Sequence, residues 1–268
     1  MDKKMFCFQC EQTAGCAGCT GAAGACGKKE DTAMLQDKLT GYLIGLVRAA
    51  DGSPSRVSDS TDRIIIEGLF ATLTNVSFDN NAISELIERV RAEKKRIIPR
   101  CFQCVSPCKR NADYNLQNLW NASEDIRSLK SLILFGIRGM AAYAYHAAVL
   151  GYTDTEINKF FHKALFAIGI DDWKTEELLP LVMEVGEMNL KCMALLDKAN
   201  TETFGANKRQ RYQHLHPWRD APCARLSSAE KICSSERKLW KRMAKSTINS
   251  SPPIRPIISL VRKCDLII

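Results

Sequence analysis

Apolar positions recur at helical spacing over most of the first two hundred residues. Leu35, Leu39, Tyr42, Leu43, Leu46 and Val47 follow i, i+3, i+4 spacing behind the charged lead-in 28–31, and predict a helix. The run DGSPSRVSDS at 51–60 interrupts it, as clustered Gly, Pro and Ser do. A second helix is predicted over 62–74. A third, over 82–97, carries Ile83, Leu86, Ile87 and Val90 on one face and charges on the other. The stretch IRSLKSLILFGIRGMAAYAYHAAVL, from Ile126, is apolar on most sides, which is the pattern of a buried helix. Ser123 is suited to be its N-cap, with Glu124 and Asp125 favourably placed in the first turn. Within it, Gly136 and Gly139 would admit a neighbouring helix at close range, each costing about 1 kcal/mol of helix propensity. Residues 151–169 predict another helix, with Thr153 and Glu156 in capping-box spacing. A last long one begins near Thr175, with apolar positions at Leu179, Val182, Met183, Val185, Met188, Leu190, Met193, Leu195 and Leu196. No strand pattern competes before residue 200. The expectation is an all-α fold: a cysteine-rich segment over 1–32, then an antiparallel helical bundle over 33–205.

Beyond that point the pattern changes. Residues 207–268 contain no glycine, five prolines and scattered Arg, Ser and Cys, with no sustained periodicity outside 230–245. The charge changes too. Residues 206–268 hold 14 Lys/Arg against 4 Asp/Glu, a net of +10, which leaves 24 against 26, a net of −2, for the first 205. The overall +8 therefore belongs to one segment, and nucleic acid is not an expected partner. No run of about 18 apolar residues is seen, so no membrane span is expected. No apolar stretch follows Lys3 and Lys4, so no signal peptide is expected either. The expected location is cytoplasmic, where clustered thiols more often bind metal or act in catalysis than form disulfides.

Five of the twelve cysteines fall between Cys7 and Cys26. Cys7 and Cys10 form a C-x2-C pair, a spacing that lets two sulfurs converge while backbone amides point at them. Cys16, Cys19 and Cys26 follow in a Gly/Ala-rich stretch that permits tight turns and close backbone approach. Four thiolates suit an iron–sulfur cluster, but zinc held by four cysteines is also common, and spacing alone does not separate the two. The phenylalanines beside the pair, Phe6 and Phe8, would either shield a cluster from water or simply pack.

The opening MFCFQCEQTAGCAGCTGAAGACGK followed by LQDKLTGYLIGL strongly resembles the N-terminus of the hybrid cluster (prismane) proteins, also called hydroxylamine reductases. The resemblance continues through LFATLTNVSFD (69–79), DIRSLKSLILFGIRGMAAYAYHAAVLG (125–151) and MALLDKANTETFG (193–205). It implies an N-terminal iron–sulfur cluster, 4Fe–4S in most members and 2Fe–2S in some, with ligands that map onto Cys7, Cys10, Cys19 and Cys26. The Cys-Gly-Lys at 26–28 anchors the last of these, and Cys19 keeps the family's distance from the C-x2-C pair, with Cys16 as its rival. The resemblance also implies hydroxylamine reduction to ammonia, or nitric oxide reduction in some members, with electrons supplied by a redox partner protein.

The family's substrate-reducing hybrid iron–sulfur–oxygen cluster lies in later α/β domains, and the resemblance stops after Gly205, before them. None of His214, His216, Cys223, Cys233 or Cys264 sits in a family motif, so no ligand of that cluster and no catalytic residue carries over. Codons for residues 228–233, read one base out of phase, can encode Ser-Gly-(Lys or Glu)-Asp-(Leu or Met), which matches the family's Ser-Gly-His-Asp-Leu segment except at its histidine. An out-of-frame tail is therefore one expectation, and a short paralogue with its own tail the other. The expected chain is the electron-entry portion of a reductase. The alternatives are a non-enzymatic electron-transfer or redox-sensing module and a zinc-stabilised helical interaction domain.

Remaining features have plainer readings. RCFQCVSPCKR at 100–110 repeats the Cys-Phe-Gln-Cys motif through Cys101, Cys104 and Cys108, but three thiols lack a fourth ligand. His146 and His162 read as hydrogen-bonded or surface histidines, and Met183, Met188 and Met193 as core filling.

Overall fold

The computed structural model describes residues 5–10, 18–74, 76–98 and 112–205. Cys16, the group Cys101, Cys104 and Cys108, and the segment 206–268 lie outside the described residues. Within them the fold is all-α, and a single antiparallel bridge, between Cys7 and Cys19, stands in place of any strand. The helices are α1 (Glu30–Asp51), α2 (Asp59–Ala71), α3 (Asn80–Ile97), α4 (Leu116–Asn121), α5 (Glu124–Val149), α6 (Thr155–Ile168) and α7 (Thr175–Phe204).

Two up–down–up trios make up the body. In the first, Gln36 of α1 donates to the Ala71 carbonyl at the end of α2, and Leu43 meets Gly68, so α1 and α2 are antiparallel. The Thr32 hydroxyl donates to Asn80 at the start of α3, and Gly45 faces Lys94 further along, so α1 and α3 are parallel. In the second, Lys191 bonds Glu156 and Lys163 bonds Glu184, which sets α6 and α7 antiparallel. Lys130 donates to the Ile170 carbonyl just before α7, Gly136 abuts Val185, and Tyr152 bonds Glu202, which sets α5 and α7 parallel. Successive helices thus reverse direction, as expected, while the most extensive interface joins the parallel pair α5 and α7.

One apolar core runs through all seven helices. By length and composition α5 could cross a membrane, contrary to the sequence expectation that no stretch qualifies. Its apolar character is accounted for by position: it packs on α2, α4, α6 and α7, and its buried face also carries Lys130 and Arg138.

Helix ends show where local chemistry departs from the sequence reading. Ser123 does precede α5, but its side chain makes no capping bond. The α6 cap is Asp154, whose carboxylate accepts from the Glu156 and Ile157 amides, and not Thr153. A single Asp154 oxygen, Oδ1, accepts both amides, so the helix starts one residue later than the capping-box spacing predicts. Gly136 is needed for the α5–α7 approach, whereas Gly139 faces open space. Met188 is buried, but Met183 is 67% exposed, as is Leu190, and Leu179 is 54% exposed. These three share one face of α7, so the expectation that Met183 fills the core does not hold.

α4 has no counterpart in the sequence reading, because six residues are too few for periodicity to register. It matters for the site, since its Trp120 receives Phe8 at a centroid distance of 4.7 Å.

Candidate cysteine-lined cofactor site

The extended segment 5–10 lies against the body, with Phe6 and Phe8 both buried. Phe8 packs into the main core, and Phe6 packs with Cys7, Ala33 and Cys19. The hairpin-like return is fixed by two backbone bonds: the Phe6 amide to the Cys19 carbonyl at 2.9 Å and the Cys19 amide to the Cys7 carbonyl at 2.7 Å. Gly18, beside the bridge, sits at φ +68°, a conformation that favours glycine, and a Cβ there would collide with Met5. The Gly24 amide donates to the Lys28 carbonyl at 2.7 Å, closing the loop that carries Cys26 into α1.

Cys7, Cys10, Cys19 and Cys26 line one small pocket together with Gln9, Gly24, Lys28 and Thr74. The structure thus brings together all four cysteines singled out from the sequence. A Cβ on Gly24 would sit 3.5 Å from the Cys19 sulfur and 3.6 Å from the Cys26 sulfur, which places this glycine beside both. Among the described residues no three of His, Cys, Asp and Glu gather closely enough to hold a single metal ion. The four thiols share one cavity.

Burial raises the Cys7 thiol above its usual range. The Gln9 backbone amide, which donates to the Cys7 sulfur, and the Lys28 charge pull the other way. Lys28 is buried and donates to the Gln36 side chain. Gln9 accepts from the Arg138 guanidinium through Oε1 at 2.5 Å, while its Nε2 donor is buried with no acceptor among the described residues. Neither buried cation was singled out in the sequence. Lys28 read as part of a charged helix lead-in and Arg138 as one polar residue in an apolar helix, and no pattern marks a residue that reaches 129 positions back along the chain.

Away from the pocket, His162 bonds Asp62 at 2.8 Å, and His146 is exposed against Phe70 and Tyr145. Both fit the plain reading.

The sequence matches the profile of the Prismane/CO dehydrogenase family over residues 5–220. The chain belongs to that family. The match continues 15 residues past Gly205, the point at which the motif resemblance ends. Among curated relatives, a protein named hydroxylamine reductase from Porphyromonas gingivalis is 40% identical over 226 residues, covering 76% of this chain and 40% of the relative. Proteins of the same name from Methanococcus vannielii and Chlorobaculum tepidum are 40% and 41% identical, each over 75% of this chain and 40% and 39% of their own length. The chain thus spans about 40% of the length of these relatives. Membership in the prismane family implies iron–sulfur cluster binding, and the cysteine pocket lies inside the matched region.

Proposed function

We propose that this chain holds one iron–sulfur cluster, 4Fe–4S rather than 2Fe–2S, through Cys7, Cys10, Cys19 and Cys26, and serves as the electron-entry portion of a hydroxylamine reductase. The observation that carries this is the gathering of those four thiols around one pocket in a chain of the prismane family. A cluster bound there would supply one-electron transfer.

Three features of the pocket suit an anionic, sulfur-rich group. Four cysteines line a single cavity, and four thiolates are the usual ligand set of an iron–sulfur cluster. Gly24 lies against the Cys19 and Cys26 sulfurs and adds no side chain to the lining. Gln9 Nε2 is a buried donor that lacks an acceptor, and such donors are rare unless something completes them.

The chain's own residues then have distinct tasks. The Gln9 amide supports the Cys7 sulfur as thiolate, and Lys28 adds favourable charge. Phe6 packs beside Cys7 and Cys19, and Phe8 anchors the ligand segment in the core against Trp120. Because Cys7 must lose its proton to ligate, cofactor loading releases protons and improves as pH rises.

In the longer relatives named hydroxylamine reductase, reduction of hydroxylamine to ammonia takes two electrons and two protons, and a redox partner protein would deliver the electrons through this portion. A reducing, cytoplasmic location suits a site that needs its thiols unoxidised.

Anaerobic purification with iron, sulfide and zinc analysis, and a hydroxylamine assay on the same sample, tests the reading. About four irons and four sulfides per chain without turnover is the expected result. Zinc in place of iron would replace the proposal with a zinc-stabilised helical domain. Turnover by the chain alone would overturn its assignment as an electron-entry portion.

A further inference from the structure

Behind the cysteine pocket sits a buried charge cluster that packing does not explain. Arg138 of α5 is 2% exposed. Its Nη1 donates to Gln9 Oε1 at 2.5 Å and its Nη2 to Thr40 Oγ1 at 3.0 Å, and Thr40 in turn donates to the Gln36 carbonyl. One turn before Thr40 on α1 is Asp37, whose Oδ1 is shut off from solvent with no hydrogen-bond partner among the described residues, as is Arg138 Nε. Lys28 is the second buried cation, 3% exposed, and it bonds Gln36 on the same helix. Two buried cations thus surround one carboxylate. A residual positive charge in a low-dielectric interior is costly unless an anion compensates it. The group that both Lys28 and Arg138 attract electrostatically, besides Asp37, is Cys7.

We propose that Arg138 is a positioning and potential-setting residue for the group bound at the cysteine pocket: it fixes the Cys7–Cys10 loop through Gln9, and its buried charge, offset in part by Asp37, favours the reduced form of that group. This rests on the cluster reading of the preceding subsection. The physical step is short. Each added electron makes a thiolate-ligated cluster more negative, so a nearby buried cation stabilises the reduced state more than the oxidised one and raises the reduction potential. A buried carboxylate acts with the opposite sign. Arg138 also reaches the ligand loop by hydrogen bond rather than by contact with a sulfur, as outer residues that orient ligands commonly do.

The two residues give opposite expectations, which a merely structural role would not. The experiment is a spectroelectrochemical titration of the iron-loaded full chain at pH 8.5, where the Asp37 carboxyl, which burial pushes up to about 7, is charged. Arg138→Gln is expected to retain iron and shift the midpoint to more negative potential. Arg138→Lys, which keeps the charge, is expected to return most of that shift. Asp37→Asn is expected to shift the midpoint to more positive potential. Midpoints unchanged in iron-loaded Arg138→Gln and Asp37→Asn, or shifted in the same direction by both, would overturn the proposal. Should Arg138→Gln fail to fold, Asp37→Asn decides alone, and absence of its positive shift overturns the inference. A wild-type chain that takes up no iron would instead overturn the cluster reading itself, and this one with it.

Discussion

A Cβ placed on Gly136 of α5 would lie 2.3 Å from the Val185 Cγ1 on α7. Val185 is buried and branched, and it sits in the largest helix–helix interface, so neither side can yield without opening that interface. Gly136→Ala is expected to destabilise the chain by about 1–3 kcal/mol through overpacking. Gly139, three residues on, meets nothing within 4 Å. Gly139→Ala should gain up to about 1 kcal/mol from helix propensity and a less flexible unfolded chain. Urea unfolding of the two variants in parallel checks both signs, and equal effects would contradict the geometry.

The ligand assignment makes a prediction for the two neighbouring cysteines. Cys19 lines the pocket and is paired by backbone to Cys7. Cys19→Ala is expected to lose most of its iron and sulfide, while Cys16→Ala retains them. The reverse pattern in metal analysis would transfer the role to Cys16.

Asp37 predicts a pH dependence of stability. Its folded carboxyl is pushed up to about 7 by burial, against the pull of Arg138 and Lys28, while an unfolded aspartate ionises near ~3.9. A raised folded value means the native state holds that proton more tightly than the unfolded chain does. Its stabilising contribution is complete below about pH 4 and is lost as pH rises through about 7. Between pH 4.5 and 8 the metal-free chain should therefore lose on the order of 2–4 kcal/mol relative to Asp37→Asn. Parallel stability profiles from denaturant titrations across that range would count against it.

Cys192 lies on α7, fully buried, with its thiol pushed up to about 12 by burial. A thiol that is neither exposed nor ionised is a poor nucleophile. Iodoacetamide at pH 8 is expected to leave Cys192 unmodified in the folded chain and to label it in denaturant, as read by peptide mass spectrometry.

The sequence announced each long helix because its apolar positions recur with the helical period. It overreached at Met183 and Leu190, where the period is correct but no described element covers that side of α7. Periodicity reports which face is apolar, and burial depends on what lies opposite. The close approaches at Gly41 and Gly45 went unread for a related reason. Those glycines admit the backbone of Tyr114 and the side chain of Asp113, a connecting segment with no periodic signature. The C-x2-C pair was legible from local spacing, and Cys19 and Cys26 were singled out through the family resemblance. Their support was not, since Arg138, Trp120 and Thr74 come from distant stretches with unremarkable local sequence.

The bond from Arg138 to Gln9 spans 129 residues, and it sets an order of events. During synthesis the cysteine segment leaves the ribosome first, yet its seat is incomplete until α5 has been made and has docked. A chain interrupted before α5 would present the cysteines without the Arg138 bond that holds Gln9 in place.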